Sequence, residues 1–102
     1  MRPARAPPIT VMDLEIEHLV EQHRFQAVVQ DRVCIAQYRL DAGVLSITHT
    51  EVPQMLQGRG IAGALMQAVL DHARAHGLKV RPLCSYAQVY MRRHPASADL
   101  RA

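Results

Sequence analysis

His49 and Glu51 stand two residues apart in the run THTEV, and the stretch that follows, QGRGIAG (57–63), holds three of the chain's five glycines. Imidazole, with a pKa of about 6.5 in water, suits a general base at neutral pH. On an extended strand the two side chains would share a face, about 7 Å apart. Each also has a plainer reading: a histidine packed on a sheet, and a solvated or loop-capping carboxylate. The glycines ask for a reason, because glycine loses more conformational freedom on folding than any other residue. A glycine turn at the mouth of a helix lets backbone N–H groups approach an anion, phosphate above all. A tight strand-to-helix connection without a ligand would use the same residues. Cys84, just after the last β-like run, is a thiol where strand ends converge, or else a small buried apolar residue. Tyr86 and Tyr90 lie one helical turn apart, either as phenols near a site or as an aromatic pair packing a helix.

The elements that must position these groups can be read from periodicity. Alternation and turn residues predict strands over 15–20, 25–30, 32–40 and 44–52, with Asp31 and Asp41-Ala42-Gly43 at the turns and Pro53 closing the last ladder. Cys34, Ala36, Tyr38 and Leu40 fall on one face of the third strand, with Cys34 in the core. Simple alternation puts Leu45, Ile47, His49 and Glu51 on one face of the fourth. From Gly58 or Gly60 to His76 the spacing is helical, with Ile61, Ala62, Leu65, Met66, Val69, Leu70 and Ala73 on the apolar face and Gly77 as the C′ stop. A short strand over 78–81 then implies a parallel crossover, and a last helix spans 85–93 before His94-Pro95. The fold class is α+β: an antiparallel meander, one long helix, one more strand and one short helix. Residues 1–13 read as a disordered lead-in, 14–95 as the domain, and 96–102 as a loose tail.

Composition narrows the function. At 102 residues the chain is a single domain, 49% hydrophobic, without the roughly 20-residue apolar run that spans a membrane. The N-terminal MRPARAPPITVMD lacks a continuous apolar core for a secretory signal, so the expected compartment is the cytoplasm. The net charge of +3 is mild and unaccompanied by aromatic-basic interleaving, so no nucleic-acid partner is expected. His72 and His76 are four apart on the helix, but without a third ligand they read as edge packing, and no metal is expected. No Lys-Ser or Lys-Thr follows the glycines, as a P-loop requires. The preceding strands look antiparallel, and Gly77, Leu78 and Lys79 stand where a dinucleotide fingerprint needs an acid.

Gln57-Gly58-Arg59-Gly60-Ile61-Ala62 fits the [QR]-x-x-G-x-[GA] pattern of the GNAT N-acetyltransferases. HTEVP, QGRGIAGAL, VRPLCSY (80–86) and YMRRHP (90–95) together resemble the short, single-domain GNAT-like members, over about Phe25 to Pro95. The resemblance implies a mixed, largely antiparallel sheet of about five strands with one long and one short helix. It implies acetyl-CoA as cosubstrate, in a splay between the strand ending at Val52 and the strand ending near Arg81. By the same likeness the pyrophosphate lies on the backbone of Gln57, Gly58, Arg59, Gly60, Ile61 and Ala62, with Arg59 as countercharge, and main chain near Val52 meets the pantetheine arm.

Acetyl transfer to an amine then calls for a base, an oxyanion donor and an acid for the departing thiolate. His49 is the favoured base; Cys84 and Tyr90 are the groups placed near the sulfur. The implied function is an acetyl-CoA-dependent N-acetyltransferase working by direct attack in a ternary complex. The chain is too short for the N-terminal helices that complete the acceptor site in longer family members. That leaves two things open: a CoA-binding module without robust catalysis, and a homodimer.

Overall fold

The computed structural model describes residues 14–102, so the lead-in expected over residues 1–13 lies outside the described residues. Five strands lie side by side in chain order: β1 (Glu17–Leu19), β2 (Arg24–Val29), β3 (Arg32–Asp41), β4 (Val44–Glu51) and β5 (Lys79–Pro82). The first four are antiparallel and β5 runs parallel to β4. This is the mixed, largely antiparallel α+β architecture expected. The strand expected over 15–20 is shorter, because Val20–Gln22 winds into a 3₁₀ turn closed by His23 at φ 55°. Gln30 and Asp31 (φ 51° and 62°) and Ala42 and Gly43 (φ 51° and 79°) form two-residue hairpin turns. Positive φ at both central positions matches the twist of the flanking strands.

Helix α1 (Ile61–Ala75) crosses from β4 to β5 and packs on the sheet. It buries Leu65, Met66, Val69 and Ala73 completely against Leu45, Ile47 and Val80. Its C-terminus is closed by Leu78 N–H donating to Ala73 O at 2.9 Å and Gly77 N–H to Arg74 O at 3.5 Å, a Schellman pair. Helix α2 (Ser85–Arg93) lies beside α1, and Ala87 and Met91 join the same core. Among the described residues no helix is long and apolar enough to cross a membrane.

Strand β4 departs from simple alternation. Tyr38 lies opposite Ile47, but Gln37 lies opposite His49, so Thr48 is an extra residue with no partner on β3. Its Oγ1 donates to Gln37 O at 3.3 Å, which ties the bulge down. A one-residue insertion reverses the faces of everything beyond it. Leu45 and Ile47 are fully buried under α1, whereas His49 pairs with Gln37 and Glu51 with Ile35 on the outer face. The expectation that all four share a face is therefore corrected. Thr50, opposite the buried Ala36, takes the helix-facing position instead.

The tail also differs from expectation. Pro95–Leu100 forms a 3₁₀ helix that buries Ser97 and Leu100, and Ala102 N–H donates to Val80 O at 2.9 Å. Arg74 on α1 holds Asp99 through two hydrogen bonds, at 2.7 and 3.2 Å. Leu100 supplies the reason: an apolar residue near the chain end finds uncovered surface beside β5 and docks there.

Candidate active site

Pairing between β4 and β5 covers only Val44–Ile47 with Lys79–Pro82. Immediately beyond, Leu83 N–H and Cys84 N–H both donate to Ile47 O, at 3.0 and 3.1 Å, and the chain turns away into α2. From Thr48 onward β4 has no strand on that side. The opening leads to a cavity of about 450 Å³ lined by Thr50 of β4 and Val52 just beyond it, by the turn Leu56–Gly58, by Gly60–Gly63 at the start of α1, and by Tyr86 of α2.

The turn is rigid on one side and bare on the other. Leu56 is fully buried and its N–H bonds Pro53 O at 2.8 Å, while Gln57 Nε2 donates to Val52 O at 3.0 Å. Gly58 and Gly60 hold φ of 84° and 83°, a left-handed conformation that side chains resist. Gly60 is the N-cap of α1 and contributes no capping side chain, so the leading N–H groups of the helix have no side-chain partner. A Cβ at Gly58 would meet no atom within 4 Å, so backbone conformation rather than crowding calls for glycine there. The combination has the features that receive an anion elsewhere: uncapped donors, the positive end of a helix, and open space before them. Arg59 is exposed beside it and makes no ion pair among the described residues.

Cys84 is the N-cap of α2; its Sγ accepts Ala87 N–H at 3.4 Å and lies 3.6 Å from Thr50 Oγ1. It is half-buried at the mouth of the split. The other thiol, Cys34, is fully buried in the sheet core, and burial pushes its pKa up. His49 Nε2 lies 3.1 Å from Glu51 Oε1, both side chains being more than half exposed on the outer face. His49 and Cys84 therefore stand on opposite sides of the sheet, at the two mouths of one opening.

The tyrosines divide. Tyr86 lines the cavity, and burial raises its phenol pKa. Tyr90 does not line it: its hydroxyl donates to Gln67 on α1 at 2.9 Å and its ring stacks on His94 at 3.9 Å. Tyr90 thus pins α2 to α1. Val52, Gln57, Gly58, Gly60, Ile61 and Ala62 line the cavity, and Arg59 does not. Thr50 was not singled out by the sequence, because nothing local marks the bulge that turns it inward. Tyr86, two residues beyond Cys84, was given no role near the sulfur; its place in the first turn of α2 is the signal that could have found it.

Residues 24–100 match the family model described as GCN5-related N-acetyl-transferase. The chain belongs to this family. The family and fold support acetyl transfer as its chemistry. Among similar proteins are Protein NATD1 of Homo sapiens, 29% identical over 90% of this chain and 88% of that one, and Protein NATD1 of Gallus gallus, 28% identical over 90% of each. A solution NMR structure of a GCN5-like protein from Staphylococcus aureus superposes with a TM-score of 0.72 at 28% identity, covering 88% of this chain and 89% of that one.

Proposed function

We propose that this protein transfers an acetyl group from acetyl-CoA to a primary amine by direct attack in a ternary complex. The observation that carries the reading is the parting of β4 from β5 beyond Ile47, with an anion cradle and cavity on the helix side and an exposed His49–Glu51 pair on the other. Acetyl-CoA supplies the activated thioester. The uncapped N–H groups at Gly60–Ala62 hold the pyrophosphate, with Arg59 as countercharge, and the β4 backbone near Val52 holds the pantetheine arm.

The amine enters from the outer face. His49, oriented by Glu51, takes the proton from the amine nitrogen as that nitrogen bonds the carbonyl carbon and the carbon–sulfur bond breaks. A proton returns to the departing sulfur from the helix side, where Cys84 and Tyr86 are the available donors. Tyr86 replaces Tyr90 in this role because Tyr86 faces the cavity while the Tyr90 hydroxyl is held by Gln67.

The test begins with thermal stability in acetyl-CoA, CoA and dephospho-CoA, where a hundredfold excess over Kd should add about 2.7 kcal/mol. Single-turnover transfer to an amine panel follows, and His49→Ala should slow it at least tenfold without changing the acetyl-CoA response. A CoA-binding module without turnover is the second reading, favoured by an outer sheet face on which no helix lies among the described residues. Binding without transfer to any amine would select it.

A further inference from the structure

The outer face of the sheet carries a groove of about 620 Å³, lined by Arg39, Asp41, Ser46, Arg81 and the half-exposed apolar side chain of Leu83. The strand register turns three of these into a rung. Ser46 pairs with Arg39 on β3 and with Arg81 on β5, so two guanidinium groups flank one hydroxyl on the same face. Two strand spacings put their Cα atoms about 10 Å apart. Both arginines are exposed, and among the described residues neither makes an ion pair. Asp41, two residues along β3 from Arg39, is the acid in the groove, and it lies beyond ion-pair distance of both. Two like charges on one rung, on either side of Ser46 and without an ion-pair partner, form a receptor for an anion, and the planar guanidinium fork matches a carboxylate.

The rung also has a direction. It lies one residue before Ile47 and Pro82, the last pair joining β4 to β5. From Arg81, Leu83 continues along the groove to Cys84 at the opening. On β4, His49 is three residues beyond Ser46 on the same outer face, about 10 Å along the strand. An extended acceptor laid along β4 with its amine at His49 places a residue about three positions away over the arginines.

We infer that Arg39, Ser46 and Arg81 bind the acceptor, and that the acceptor is an amine on an acidic peptide segment, its carboxylate held by the two guanidiniums. The inference rests on the acetyl-transfer reading above and names the substrate class for it. A polyamine is disfavoured at this mouth, because two fixed positive charges repel a polycation.

Equilibrium binding separates this inference from the chemistry. The probes are a fluorescein-labelled lysine peptide carrying two glutamates beside the lysine, its glutamine counterpart, and an arginine counterpart, read by anisotropy on the full chain at fixed ionic strength. The glutamate peptide should bind about tenfold more tightly than the glutamine one, or about 1.4 kcal/mol. The double variant Arg39→Gln/Arg81→Gln should erase that preference while keeping the thermal response to acetyl-CoA, and Arg81→Glu should shift preference toward the arginine peptide. Equal binding of the three peptides by the unmodified protein, or a preference that survives in the double variant, overturns the inference. Peptide binding is read without turnover, so failure of acetyl-CoA to bind is a separate result that strikes the transferase reading alone.

Discussion

Thr50 and Cys84 meet across the mouth of the β4–β5 split, with Oγ1 and Sγ 3.6 Å apart, although they are 34 residues apart in the chain. The contact joins the strand that would carry the thioester to the N-terminus of α2, and it leaves Cys84 reachable from the opening. Cys34 is sealed in the core with its thiol pKa raised. Under native conditions iodoacetamide should therefore modify one thiol, Cys84, and leave Cys34 protected. Peptide mapping by mass spectrometry reads the ratio, and equal labelling would refute this accessibility.

Gly60 holds φ of 83° as the N-cap of α1. Gly60→Ala should cost about 1 kcal/mol of stability, the expense of a left-handed alanine. It should also weaken the stabilisation by acetyl-CoA, because the residue belongs to the anion cradle. Urea denaturation with and without ligand measures both; an unchanged ligand response would place the phosphate elsewhere.

Gly63 is different in kind. A Cβ there would lie 3.6 Å from Tyr86 Oη and from Tyr90 Cε2, ordinary contact distances. Gly63→Ala should then stabilise the helix by about 0.5–1 kcal/mol through helix propensity. Because Gly63 lines the cavity, the same methyl should reduce affinity for acetyl-CoA. A fall in melting temperature would show that the wall cannot take a methyl.

His18, His72 and His76 form a ring cluster at the edge of the core, with centroid separations of 4.4 Å for His18–His72 and 4.1 Å for His72–His76. His18 also stacks on Phe25, and its Nε2 lies 2.6 Å from Tyr38 Oη. Burial, reinforced by neighbouring histidines, lowers the pKa of His18 and of His72 below 6.5. A pKa lower in the folded state than in the unfolded one means the unfolded chain binds more protons. Stability is thus fully present above about pH 6.5 and falls as pH drops through the depressed folded values. Urea midpoints measured at pH 7.5 and pH 5 should differ, and His72→Gln should flatten the slope between them.

The C-terminal segment contributes to stability through Leu100 rather than through its ion pair. Leu100→Ala should cost about 2–5 kcal/mol, the range for a buried leucine. Asp99→Ala should barely move the melting temperature, since the Arg74–Asp99 pair is solvent-exposed and screened. The reverse ranking in a thermal melt would contradict the buried position of Leu100.

Much of this was legible locally. The helix over Ile61–Ala75, its glycine mouth, its stop at Gly77 and the parallel return at Lys79–Pro82 follow from periodicity and turn chemistry, which act between residues close in sequence. The bare backbone at Gly58 and Gly60 was legible from the motif, because a helix N-terminus exposes its own backbone whatever surrounds it. What local reasoning could not supply was the parity of β4. Alternation assigns His49 to the face of Ile47, and one unpaired residue, Thr48, reverses it. A bulge is a mismatch between two strands and is written in neither alone. The division between Tyr86 in the cavity and Tyr90 bound to Gln67 likewise depends on where α2 meets α1, and the docking of Leu100 depends on the surface left beside β5. Short-range backbone preferences are enough to write the helix and its bare glycine mouth into the local sequence. Which side chains face the opening depends on register and packing between segments far apart in the chain, and so emerges only when those segments meet.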